Sequence, residues 1–105
     1  MRVIVTGGSG KGGRYTVAEL ARAGHEVTNV DVVKPSEPQQ ARFIRADLAD
    51  AGKVYDAFAQ VKPEGVCHIA ANPSPGGHPR QETFQNNVMS TYHVMQAAGD
   101  LGVSR

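Results

Sequence analysis

The chain has 105 residues, 40% of them hydrophobic and 20% charged, with a formal net charge of +1. That is the size of one domain with the composition of an ordinary globular protein. The near-neutral balance offers no electrostatic case for a nucleic-acid or membrane-surface partner, and the lone Cys67 cannot close an internal disulfide. No apolar run approaches a membrane span or a signal-peptide core, so a soluble, reducing, cytoplasmic setting is expected. Along the chain, residues 1–6 are a β-branched run that predicts a buried strand. Five glycines then fall between Gly7 and Gly13, a local backbone demand rather than general looseness. Val17, Leu20, Ala21 and Gly24 follow helical spacing, with Gly24 placed as a left-handed cap. Residues 26–32 and 41–46 predict two further strands. The Pro-containing segment 33–40 between them is too short for an ordinary parallel crossover, which predicts an irregular one. Asp50 is placed to cap a second helix carrying Val54, Ala57, Phe58 and Val61, which Pro63 stops. Residues 65–70 predict a fourth strand and 72–80 a Pro/Gly loop. Residues 81–101 predict a long helix with Phe84, Val88, Thr91, Met95 and Ala98 on one stripe. This alternation predicts an α/β fold, a parallel sheet with helices on its faces.

The glycines carry the chemistry. Gly7, Gly10 and Gly13 form a GxxGxxG turn between a strand and a helix. A diphosphate needs backbone N–H groups aimed at it with no side chain in the way. Gly7 permits the turn, Gly10 the close approach of the phosphates, and Gly13 close packing of helix on strand. The helix N-terminus adds its positive dipole end. Asp31 ends the next strand 18 residues after Gly13, about where a ribose-binding acid belongs. Lys11 stands where it reaches either phosphate or solvent. A P-loop is excluded, because Val5 and Gly12 occupy the places of its first Gly and its Ser/Thr. His25-Glu26 does not extend to a zinc-protease motif, because Asn29 stands at its second His.

Ordered landmarks then resemble one family, the extended short-chain dehydrogenases/reductases and within them the NAD-dependent epimerase/dehydratase group. Residues 6–13 match its TGxxGxxG loop, and Asp31 its ribose-binding acid. Asp47-Leu48 resembles its acidic-apolar pair, residues 67–71 its HxAA segment, residues 87–91 its NVxGT helix motif with Ser90 in place of Gly, and residues 102–105 its GVKR. The resemblance covers the whole chain and implies a Rossmann-type doubly wound parallel sheet, N-terminal portion, in strand order 3-2-1-4 with an incomplete edge beyond the fourth strand. It implies cofactor contacts at Gly7, Gly10, Lys11, Gly12, Gly13, Asp31, Asp47, Leu48, Ala70 and Ala71. Asp47 would bind the adenine amino group, and Gly12 replaces the family's bulky apolar residue. The implied cofactor is NAD rather than NADP, because Asp31 would repel a 2′-phosphate.

The family's Tyr-x-x-x-Lys pair is missing. Tyr15 is followed four residues on by Glu19, Tyr55 by Ala59 and Tyr92 by Gln96. Residues 1–105 are therefore expected to be an incomplete NAD(P)-binding domain without the catalytic pair or the substrate domain. The implied parent is an epimerase, dehydratase or reductase acting on a nucleotide-sugar-like substrate, dimerising through its long helix. A non-catalytic dinucleotide-binding or sensing module is the alternative, and a structural piece with an empty loop a third. Of the remaining residues, Cys67 and His68 are expected in the core, Asn87 in a structural role, Met89 and Met95 in helix packing, and His78 and His93 in solvent.

Overall fold

In the computed structural model of the chain, which describes residues 1–70 and 80–105 and the side chains of 1–70 and 87–105, the stiff run Val3-Ile4-Val5 lies in the central strand β1 (Arg2–Thr6). The helix α1 (Lys11–Arg22), strands β2 (Glu26–Asp31) and β3 (Arg42–Arg45), helix α2 (Ala51–Val61), strand β4 (Gly65–His68) and helix α3 (Arg80–Asp100) follow in that order. The sheet order is β3-β2-β1-β4 and every pairing is parallel, as the sequence predicts. The crossover at 32–41 contains neither helix nor strand.

Side chains of β1 alternate between two cores, as the two-residue strand period requires. Val3 and Val5 join Val17 of α1 and Val27 on one face. Ile4 joins Val30, Val54, Phe58, Val94 and Ala97 on the other, under α2 and α3. Helices therefore cover both faces, the doubly wound arrangement.

Helix ends follow their local chemistry. Gly24 has φ +93°; its N–H donates to Ala21 O and the N–H of His25 to Leu20 O, a Schellman closure of α1. Asp50 accepts the Lys53 N–H at 3.3 Å and caps α2. Before Pro63, Lys62 turns left-handed at φ 53° as the C-cap of α2, its N–H donating to Phe58 O at 2.8 Å.

Three expectations are corrected. On α3 the buried side chains are Ser90, His93, Val94 and Ala97, whereas Val88 and Met95 are exposed, as is Thr91. Val88, Thr91 and Met95 of the predicted stripe thus lie on an outer face, whereas its Ala98 packs against the core, and Met89 and Met95 do not pack into the core. His93 is buried, not in solvent, because its ring reaches a backbone carbonyl across the helix–turn junction. The fourth strand ends at His68 rather than Ala70, and its far edge is not bare. Val66 N–H donates to Arg105 O at 2.8 Å and Ser104 Oγ to Glu64 O at 3.1 Å, so the chain's last residues lie along it. The loop predicted for 72–80, with His78, and the side chain of Phe84 fall outside the described residues, save that Arg80 opens α3. No described helix is long and apolar enough to cross a membrane.

Candidate functional site

A parallel sheet delivers all its loops to one edge, at the C-terminal ends of the strands, and ligands of open α/β sheets bind there. That edge gathers the glycine turn after β1, Asp31 ending β2, Asp47 and Leu48 after β3, and Ala70 after β4.

The turn is built by contacts at its glycines. Gly7 has φ +73°, and a Cβ on it would stand 2.7 Å from Ala70 Cα. Its N–H donates to Val30 O at 2.9 Å. A Cβ on Gly13 would overlap the carbonyl oxygen of Gly7, so α1 sits on the turn at glycine distance. Gly10 differs. A Cβ there meets only Gly7 O at 3.5 Å, so the fold itself does not require glycine at that position. The space it leaves faces outward, where α1 begins with Gly10 as N-cap and no side-chain cap. That is an open cradle of unshielded backbone at a helix N-terminus, the geometry a diphosphate takes. Gly12 has nothing within 4 Å of its Cβ position, and Lys11 is exposed at the first position of α1.

Asp31 faces this turn. Its Oδ2 accepts the Ser9 N–H at 3.1 Å and its Oδ1 the Val33 N–H at 3.3 Å. Each oxygen keeps acceptor capacity for a further hydroxyl. Asp47 accepts the Ala49 N–H through Oδ1 at 2.9 Å and caps its turn. Leu48 buries its side chain among Ile4, Val54 and Phe58, so its backbone is what remains for a ligand. Ala71 lies outside the described residues.

Two polar groups beneath the edge were not singled out from the sequence. Asn29 is fully buried, and its Nδ2 donates to Ser9 Oγ and to Gln39 Oε1, both at 3.0 Å. Gln39 Nε2 donates to Gly8 O at 2.8 Å, and Ser9 Oγ donates to Val33 O at 2.6 Å. This network ties the irregular crossover to the glycine turn, and it explains Gly8, whose Cβ would overlap the Asn29 amide oxygen. The second group is Thr6 with His68. Thr6 Oγ1 accepts the Ile69 and Ala70 N–H groups at 3.0 and 3.3 Å and lies 2.7 Å from His68 Nδ1. His68 Nε2 lies 3.1 Å from Thr91 Oγ1. Burial holds the His68 ring below the usual histidine range. Neither carries a clear signal in the sequence: Asn29 sits in the mixed strand Glu26–Asp31, and Thr6 is the last residue of β1.

A separate cleft of about 540 Å³ opens between α1 and the 33–40 segment, lined by Arg14, Tyr15, Val17, Pro35 and Glu37 among others. It touches Ser9 but none of Asp31, Asp47 or Ala70, so it is not the crevice at the strand ends.

Comparison with known proteins agrees with this geometry. The family model of NAD dependent epimerases/dehydratases matches residues 3–105. The UDP-glucose 4-epimerase of Haemophilus influenzae is 30% identical over 98% of this chain and 34% of its own length. A probable dTDP-glucose 4,6-dehydratase of Sinorhizobium fredii is 34% identical over 93% of this chain and 31% of its own length. The crystal structure of the Thermus thermophilus UDP-glucose 4-epimerase in complex with NAD superposes with a TM-score of 0.88 at 32% identity, covering 98% of this chain and 35% of that one. The chain thus spans about a third of the length of these relatives.

Proposed function

We propose a function that proceeds from one premise: this chain belongs to the NAD dependent epimerase/dehydratase family. It is the dinucleotide-holding portion of an oxidoreductase of epimerase/dehydratase type, residues 1–105 being an incomplete NAD-binding domain. Gly7, Gly10, Lys11, Gly12 and Gly13 frame the pyrophosphate, Asp31 takes the adenine ribose hydroxyls, and Asp47 and Leu48 border the adenine. Ala70 passes beside the cofactor. Bound NAD supplies hydride acceptance and return; these residues supply position and a ring of backbone donors. The observation that carries the reading is Gly10, whose missing side chain clears space for something other than the fold.

The substrate class is nucleotide-sugar-like, on the support of relatives named for UDP-glucose and dTDP-glucose. A homodimer is part of the reading, supported by the exposed apolar residues Val88, Met89, Tyr92 and Met95 along α3. The free thiol of Cys67 suits a reducing cytoplasm. A non-catalytic binding module is the second reading, favoured by one observation: no Tyr here has a Lys four residues on.

Calorimetric titration with NAD and NADP is the test. NAD is expected to bind more tightly, because the Asp31 carboxylate opposes a 2′-phosphate. Asp31→Ala is expected to erase most of that preference. Tighter NADP binding, or unchanged selectivity in the variant, sinks the assignment. Purified 1–105 is expected to show no steady-state hydride transfer, since the sequence lacks the Tyr-x-x-x-Lys pair that would move the proton.

A further inference from the structure

The hydroxyl of Thr6 has two acceptor sites, and the Ile69 and Ala70 N–H groups occupy both, the Ile69 N–H being shared with the Thr6 carbonyl oxygen at 3.2 Å. Its own proton therefore points to the remaining neighbour, His68 Nδ1 at 2.7 Å. A ring nitrogen that accepts carries no hydrogen, so the proton of a neutral His68 is on Nε2, where it donates to Thr91 Oγ1 at 3.1 Å. The chain of donors runs one way, from the backbone of Ile69 and Ala70 through Thr6 and His68 to α3. It begins on the segment that stands against Gly7, where the backbone of Ala70 closes one wall of the turn.

We propose that His68 is a positioning residue: as the neutral Nε2–H tautomer it locks Thr6, and through Thr6 the Ala70 backbone, against the glycine turn, and protonation of the ring releases that lock. This rests on the reading above only where it concerns the cofactor. An imidazolium has hydrogen on both nitrogens. Its Nδ1–H would face a hydroxyl whose lone pairs are already engaged, so one backbone N–H gives up its contact with Oγ1, the Ile69 N–H then falling back on the Thr6 carbonyl, or the ring moves away.

The surroundings allow the ring to act alone. Thr6 from β1 and Thr91 from α3 face it, and neither titrates. Cys67, its neighbour on β4, packs toward the α1 face instead. His93, the next titratable residue along α3 after Tyr92, is turned to Leu48 O at 2.8 Å. No ion pair among the described residues includes His68. His93 is also an internal contrast. A carbonyl only accepts, so His93 Nδ1 carries hydrogen in either charge state, and acid leaves the Leu48 contact intact. Acid therefore opens the β4 side of the crevice and not the Leu48 side. Because burial depresses the His68 value below 6.5, the folded state binds fewer protons than the unfolded one as pH falls through 6.5, and stability declines from there toward the folded value.

Nitrogen-15 NMR of the unliganded chain reads the tautomer directly. The expected spectrum at neutral pH has an unprotonated Nδ1 and a protonated Nε2, and the Ile69 and Ala70 amide signals move together with ring protonation. An Nδ1–H ring, or amides that ignore the ring, overturns the proposal. NAD titration adds the functional arm. His68→Asn keeps an acceptor for Thr6 without a titrating ring, and is expected to bind NAD as the parent does but without weakening in mild acid. His68→Leu is expected to weaken NAD roughly fivefold to tenfold at every pH, the loss of about one hydrogen bond. Persistent acid weakening in His68→Asn overturns the proposal. Absence of NAD binding in the unsubstituted chain overturns the functional reading instead, and the NMR arm still decides the role of His68.

Discussion

Gly12 and Gly13 are neighbours, yet adding a methyl group to each has opposite consequences. At Gly13 the new Cβ overlaps the carbonyl of Gly7, so Gly13→Ala forces α1 off the turn and is expected to destabilise by about 1–3 kcal/mol. At Gly12 the Cβ enters open space, and Gly12→Ala is expected to stabilise by up to about 1 kcal/mol through helix propensity. Urea unfolding of the two variants checks both signs; equal shifts would mean the turn is not packed as described. The roles of Gly7 and Gly13 were legible in sequence because a spacing of three, placed between a strand and a helix, states a backbone requirement. Asn29 and Gln39 were not legible. A buried amide carries no periodic signal, and its partners depend on how a helix-free crossover folds back over the turn.

Among the elements, α3 is where pattern reading went astray. The apolar positions Val88 and Met95 mark the outer face, whereas Ser90 and His93 are buried with Val94 and Ala97. Burial of Ser90 and His93 is stabilised by acceptors, including the Leu48 carbonyl for His93, and hydrophobic periodicity does not register such partners. Strand order, by contrast, followed from element alternation and the resemblance together. The contact between α2 and α3 carries its own pH signature. Tyr55 donates to Asp100 Oδ2 at 2.5 Å, and this bond, with a smaller contribution from burial and the Asp100 charge, pushes the phenol up to about 12. A raised phenol value favours the protonated folded form, so this contact's contribution is full below the ordinary value of 10.0 and is lost as pH rises toward about 12. Ultraviolet titration is expected to show one late tyrosine that Tyr55→Phe removes. A titration without a late component would place Tyr55 away from Asp100.

For the whole molecule, the outward strip of α3 governs association. Tyr92 is 56% and Met95 69% exposed, and contiguous apolar surface of this kind marks an interaction face. Sedimentation of the purified chain is expected to show self-association that Met95→Lys with Tyr92→Lys weakens; a monomer at high micromolar concentration that the substitutions leave unchanged would count against the dimer. The two faces of the sheet also differ in when they become possible. The core under α1 draws its buried residues from Val3 to Val27. The core under α2 and α3 spans Ile4 to Ala97. Closing a short loop is entropically easier than closing a long one, so the α1 side is the natural nucleus and the other side a late arrival. Val17→Ala is then expected to slow refolding, whereas Ala97→Gly chiefly speeds unfolding, as stopped-flow kinetics would show. On a ribosome the same asymmetry sets an order of events: the half of the sheet that frames the glycine turn is packed while the residues that brace Leu48 and Ala70 are still to be made, so the molecule assembles its phosphate cradle before the walls of the crevice around it.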